Sequence, residues 1–498
     1  MDIKGLREKA ISGAKWRTLA TYASQVVQFA TAIVLAWLLD RTEYGVMAAA
    51  MVVISLIRGF TSLGMNYAII NRRDRAEEAV HTGFVMLLIL AGVSYLVMAA
   101  VAPLTSAYRH EPLLLWCLGL LFFLRPVAVV ADGALYREFR FRRVFVVQFG
   151  CVVLSSALAV VAALLLPAGR RYWALALGGL AREAARSALS WILTPVKPRV
   201  RFDRQLAREL FHYGKYMWAA TVVMVLYSNI ERLALMELLP LAALGLYHFA
   251  HTWVVRVGSI SETIFGAVSI SVYARLQDDI PRLRETFCRI VGYSALVSTG
   301  LLAGLVLLVP EAVTLAFPGR WRLSLPIFEV LGFYYMVRAI DTTTGQLYAA
   351  IGKPKLNMYL GIVNTVVMAA TVVPLVLWFG VVGAAWCVLF ARLATMATNA
   401  FVLRRVLRCP LRRLARIVEP PLKAALVMAL AVWLGLLWVY DRYGQVGWLA
   451  LGGLVVLGAV AYALGLLATE RKLFVELLAL IRDAIRGRKA SPDAIASG

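Results

Sequence analysis

The chain has 498 residues, of which 61% are hydrophobic and only 16% charged, with a mean hydropathy of +0.76. A soluble domain runs near one half apolar and one quarter charged, so composition excludes a water-soluble globular protein. The formal charge of +24 belongs to membrane topology and to anionic headgroups before it belongs to nucleic acid, and five cysteines (Cys117, Cys151, Cys288, Cys387, Cys409) without CxxC or other metal spacing exclude a disulfide framework or zinc site.

The N-terminal stretch 1–14 is basic and amphipathic, carries no cleavage pattern, and reads as an interfacial cytoplasmic helix. Apolar runs long enough to cross a bilayer then recur at 15–39, 43–66, 79–107, 112–135, 143–166, 171–194, 213–237, 241–273, 284–317, 323–351, 354–379, 381–405, 419–440 and 447–468. Unpaired backbone is not tolerated in lipid and no strand alternation is visible, so these predict an all-α polytopic membrane protein of about 14 transmembrane helices. Alternate connections are rich in lysine and arginine ("NRRDR", "YREFRFRR", "VKPRVRFDRQLARE", "LRRVLRCPLRRLAR"), whereas the others ("LDRTE", "YRHE", "ELLP", "FG") are short and poor in them. The positive side is the cytoplasm, which puts both termini inside. The tail from 469 to 498 starts as a basic amphipathic helix with Leu473, Leu477, Leu480 and Ile481 on its apolar face, expected on the cytoplasmic leaflet.

The polar connection 195–212 divides the chain. Across it "LLDRTEYGVM" (38–47) aligns with "LLPLAALGLY" (238–247), and "ALALGGLAR" (174–182) with "AAWCVLFAR" (384–392). Both offsets set helix n against helix n+6. They predict two six-helix halves of one orientation, an N-lobe at 15–194 and a C-lobe at 213–405, with 419–468 as an appended pair. The junction sequences, together with "LGMNYAIINR" (63–72), "REFRFRRVFVVQ" (137–148), "YAAIGKPKLNMYLGIVN" (348–364) and "FGVVGAAWCVLFAR" (379–392), make the chain resemble oligosaccharide flippases. These are the polysaccharide-exporter branch of the multidrug/oligosaccharidyl-lipid/polysaccharide exporter superfamily. The resemblance covers roughly residues 10–470 and implies two pseudo-symmetric lobes around a central cavity with alternating access. One departure is Pro240, which stands where the first half has Asp40; the nearest acid of the second half is Glu231.

Ionisable groups inside spans cost about 2.5–3.5 kcal/mol each when they face lipid at mid-helix. The chain places Arg58, Arg125, Arg182, Arg186, Arg232, Arg256, Arg338 and Arg392 there, with the acids Asp132, Glu183, Glu231, Glu262 and Asp341. Arg182 and Arg186 share a helix face, and Glu183 reaches Arg186; Arg338 and Asp341 are three apart. Arg125 and Asp132 lie on one stripe with Pro126 between them. Such neighbours either pair to fix packing or line a watery cavity, while Arg58, Arg256 and Arg392 have no acid three or four residues away and point to the cavity. Arginine offers phosphate a fork that lysine lacks, and no lysine lies deep in a span. Tyr227 is a candidate for sugar contact, as are Tyr67, Tyr334 and Tyr335; His248 and His251 read as packed polar groups.

The leading expectation is a flippase moving polyprenyl-pyrophosphate-linked oligosaccharide across the bacterial inner membrane, without a cofactor. Asp132, Glu262 or Asp341 would carry a coupling proton or sodium ion, and assembly proteins and anionic phospholipids would be its partners. A peptidoglycan-precursor flippase and a multidrug/cation antiporter of the same superfamily are alternatives, the second disfavoured by the excess of arginines. The other class is a membrane ligase, polymerase or glycosyltransferase, for which Asp40 and Glu43 would be the acid pair; the short outward loops oppose it.

Overall fold

The structure, a computed structural model, describes residues 3–61, 76–105, 108, 111–128, 141–193 and 199–485. Among these the chain is helical, with no strand. Its helices are α1 (Ile3–Leu38), α2 (Arg41–Thr61), α3 (Ala76–Val101), α4 (Pro112–Ala128), α5 (Phe141–Leu165), α6 (Tyr172–Leu193), α7 (Arg204–Tyr227) and α8 (Ile230–Leu238). They continue with α9 (Leu241–Arg275), α10 (Ile280–Ala316), α11 (Leu325–Ala350), α12 (Lys355–Val406), α13 (Leu411–Tyr443), α14 (Trp448–Thr469) and α15 (Arg471–Ile485). Nine of the described helices are long and apolar enough to cross a membrane. The protein is a multi-pass, all-α membrane protein, as its composition requires. The amphipathic start and the first span form one helix, and α12 holds two spans that reverse at Gly380 (φ 58°, ψ −137°). A Cβ at Gly383 would lie 1.9 Å from the Leu375 carbonyl oxygen, so this hairpin closes only around glycine.

The chain divides into two compact units, Met1–Gly245 and Leu246–Gly498. In the first, α5 packs along α1 and α6, and α2 packs on α3, α6, α7 and α8. In the second, α10 is the central helix, packed by α11, α13, α14 and α15.

The junction "LLDRTEYGVM" is held by its acids. Asp40 Oδ1 accepts from the Glu43 amide at 2.8 Å and Glu43 Oε2 from the Asp40 amide at 2.9 Å, a reciprocal cap on α2. The other oxygen of Glu43 accepts from the Gly169 and Arg171 amides at 2.9 and 2.8 Å, and Arg171 donates to the Leu38 carbonyl at 2.7 Å. Glu43, buried, thereby joins the α1–α2 corner to the α5–α6 corner.

The shared glycines of the two halves have a role the alignment alone does not reveal. A Cβ on Gly45 would sit 1.8 Å from the Leu241 carbonyl oxygen, and one on Gly245 would sit 1.8 Å from the Arg41 carbonyl oxygen. Each glycine meets the backbone four residues before the other, so the first turns of α2 and α9 cross in direct contact. Glycine lets them touch each other, rather than letting each fold against the helix before it. Gly45→Ala or Gly245→Ala should therefore lower stability by about 1–3 kcal/mol through overpacking, read as a drop in the melting temperature of the purified protein.

The tail helix α15 packs on α10. Leu477 is buried, Leu473 packs on Gly292 of α10, and Tyr293 donates to Glu476 at 3.1 Å. The groove left by Gly292 receives an apolar face that would otherwise seek lipid.

Candidate functional site

Each unit gathers buried charges of its own. In the first, Arg125 of α4 is half-buried, and the charges acting on it are Arg58 of α2 with Glu183 and Arg186 of α6. The helices are tied beside this cluster by Ser187, whose hydroxyl donates to the Leu124 carbonyl at 2.5 Å. Two guanidinium groups and one carboxylate thus act on Arg125, and Glu183 Oε2 is buried with no hydrogen-bond partner among the described residues. The cluster is cationic in sum. Arg58 is exposed, as is Arg182 on the same helix as Arg186, so neither is consumed by packing.

The second unit is built oppositely. Arg338 of α11 donates to Glu262 of α9 through Nε at 2.8 Å and Nη2 at 3.4 Å, and lies over the Tyr335 ring at 5.2 Å. Asp341, one turn on, takes Arg392 of α12 at 3.1 Å and accepts from the Asn399 amide. Arg392 also donates to the Arg338 carbonyl at 3.3 Å, and Tyr348 donates to Asn399 at 2.6 Å. Both arginines are matched by acids from other helices, and the network is neutral. The i,i+3 spacing of Arg338 and Asp341 sets the two pairs side by side, while each finds its carboxylate or guanidinium across a helix boundary. Arg392, which has no acid nearby in sequence, finds one on α11.

A groove of about 450 Å³ opens beside this network, lined mainly by apolar side chains of α10, α11, α12 and α13, among them Phe287, Phe333, Met336, Met396 and Leu422. Phe333 and Leu422 are exposed, and Asp341 and Asn399 stand in its wall. It is an apolar slot with a polar end.

The remaining candidates are dispersed. Arg256 lies over the Trp253 ring at 5.6 Å on α9, and Tyr227 closes α7, half-buried. His251 packs edge-on to Tyr335. Asp132 and Tyr67 lie outside the described residues. Sequence reasoning missed Asn399 and Tyr348. Asn399 follows Arg392 by seven residues, two turns along one face, and that spacing was the available signal.

Helices throughout, ionisable groups carried within them and an apolar groove ending on one such network describe a polytopic membrane transporter. Residues 34–326 match the polysaccharide biosynthesis protein family, and the chain belongs to it. It is 24% identical over 377 residues to the lipopolysaccharide biosynthesis protein WzxC of Escherichia coli K12, covering 74% of this chain and 75% of that one. It is 23% identical to the succinoglycan biosynthesis transport protein ExoT of Rhizobium meliloti, covering 95% of both. Among solved structures the lipid II flippase MurJ, in an inward closed conformation, superposes with a TM-score of 0.73 at 13% identity, over 92% of this chain and 99% of that one. The fold is shared with that transporter.

Proposed function

We infer that the protein is a flippase that carries polyprenyl-pyrophosphate-linked oligosaccharide from the inner to the outer leaflet of the bacterial inner membrane, for assembly of a cell-surface polysaccharide. The observation that carries this reading is the cationic cluster of Arg58, Arg125 and Arg186 in a member of a polysaccharide biosynthesis family. A pyrophosphate brings two or more negative charges into the membrane, and guanidinium groups meet its oxygens with paired hydrogen bonds. Arg182 and Arg256 would serve as further contacts to the headgroup or glycan, with Tyr227.

The switch between leaflets requires binding groups whose affinity differs in the two states. Charge exchange at Arg338–Glu262 and Arg392–Asp341 supplies it in this reading: release of Asp341 or Glu262 from its arginine frees a carboxylate for a proton or sodium ion, with Asp132 as a third carrier. Both termini lie in the cytoplasm on the charge pattern of the connections. Anionic phospholipids contact those basic connections, and polysaccharide assembly proteins receive the product.

Depletion of the protein should cause lipid-linked oligosaccharide to accumulate on the inner leaflet. Continued surface polysaccharide with no such intermediate would refute the reading. Arg58→Gln or Arg125→Gln should abolish export while the protein remains inserted at wild-type level, measured by surface glycan against membrane immunoblot. Unchanged export would remove the cluster from the substrate path.

A further inference from the structure

The seventh span is not one helix. α7 ends at Tyr227, Asn229 leaves helical geometry (φ −130°, ψ −2°), and α8 begins at Ile230. The broken turn is hydrogen-bonded from within. The Ser228 hydroxyl donates to the Met224 carbonyl at 2.6 Å, and the Asn229 side-chain amide to the Val225 carbonyl at 2.7 Å. Ser55 of α2 donates to Asn229 Oδ1 at 3.1 Å. Polar groups at a helix break in a membrane are normally kept this way.

Glu231, in the first turn of α8, is the exception. It is 4% exposed, equalled among the described acids only by Glu43, whose oxygens accept from three backbone amides. Its Oε1 lies 3.6 Å from Arg232 Nε, an ion-pair approach too long for a hydrogen bond. Its Oε2 is buried with no hydrogen-bond partner among the described residues. Glu262 and Asp341 each have a guanidinium within 3.1 Å. A carboxylate at that depth with one oxygen unsatisfied costs several kcal/mol, which protonation removes. The positive end of the nine-residue α8 and Arg232 stabilise the ionised form in part, so the group is balanced between two states instead of locked in one. From α2, the helix packed along α8, the polar side chain reaching the break is Ser55; Arg58 acts on Arg125 in the other cluster.

We propose that Glu231 is a proton-binding site of the transport cycle. Its carboxyl holds a proton in the conformation described and releases it to water when the Ser228–Asn229 break opens, the carboxylate then taking a new proton from the opposite side. The proposal rests on the flippase reading above, and moves the proton from the arginine-paired acids to a buried acid whose neighbouring guanidinium stands too far away for a hydrogen bond.

Two measurements on the full-length protein test it separately. In infrared difference titration of the purified protein, the carbonyl stretch of a buried protonated carboxyl should vanish as pH rises in the wild type and be absent from Glu231→Gln. In liposomes, with a fluorescent polyprenyl-pyrophosphate disaccharide as probe, a gradient of about one pH unit should shift the leaflet ratio about tenfold if one proton moves per lipid. Glu231→Gln should lose that shift and Glu231→Asp should retain it. An unaltered infrared titration in Glu231→Gln, or a gradient response unchanged by it, overturns the proposal. If Glu231→Gln does not fold, loss of the infrared band's pH dependence in Glu231→Asp overturns it as well. A wild type that moves no lipid yet shows the Glu231 band would refute the flippase reading and leave the proton site standing.

Discussion

Glu43→Ala is expected to lower the stability of the protein by about 3 kcal/mol or more, since three backbone amides lose their acceptor and each unsatisfied buried donor costs about 1–3 kcal/mol. Those amides belong to Asp40, Gly169 and Arg171. Glu43→Gln keeps one carbonyl oxygen and should fall between. Asp40→Ala removes only the return half of the helix cap and should cost about 1 kcal/mol. Melting of the purified protein in detergent ranks the three. Export in cells should fall only as far as the amount of folded protein falls. If Glu43→Ala melted like the wild type and still abolished export, Glu43 would be a functional acid and the structural account of the corner would be wrong.

That corner shows how much was legible beforehand. The pattern Asp-x-x-Glu ahead of an apolar run announces a cap on α2 from sequence alone. The bonds from Glu43 to Gly169 and Arg171 join positions 126 and 128 residues apart, and no local pattern encodes them. The spans were readable for the same reason the cap was: apolar length and connection charge are local properties. The reversal at Gly380 was readable too, where "FG" interrupts two apolar runs. Pairing between helices was not. Arg338 and Asp341 mark a charged face on α11, but Glu262 and Arg392 come to that face from 76 and 51 residues away, by packing. The alignment set Gly45 against Gly245 while leaving their contact unstated, because an alignment equates positions without bringing them together.

The two clusters also differ in charge balance, a difference the sequence left pooled. Read as a list, the arginines outnumber the acids and any of them could meet an anion. In the structure most of the excess belongs to the first unit, where Arg58, Glu183 and Arg186 all act on Arg125. The Arg338–Glu262 and Arg392–Asp341 network of the second unit is balanced pair by pair. An anionic headgroup is therefore attracted to the first and would have to displace a carboxylate in the second. That difference makes the second unit's pairs suited to switching and the first unit's cluster suited to binding.

Arg392→Met should be the most damaging single change in the second unit. Asp341 is 8% exposed and Arg392 17%, so removing the guanidinium leaves a buried carboxylate with only the Asn399 amide and an expected loss of about 3–5 kcal/mol. Asp341→Leu strands Arg392 in the same way and should cost a similar amount. The double variant Arg392→Met/Asp341→Leu removes both charges, and well-packed apolar replacements of a buried pair are often neutral, so most of the stability should return. Melting of the four proteins closes the double-mutant cycle and gives the coupling of the pair. Surface glycan measured on the same four separates packing from transport. If the pair only fixes α12 to α11, export returns with stability in the double variant. If exchange at Asp341 switches the protein between leaflets, the double variant is stable, inserted and inactive, because no carboxylate remains to be released. Little coupling in the melting cycle would mean that the 3.1 Å contact does not bind the two helices, and the switching role would fall with it.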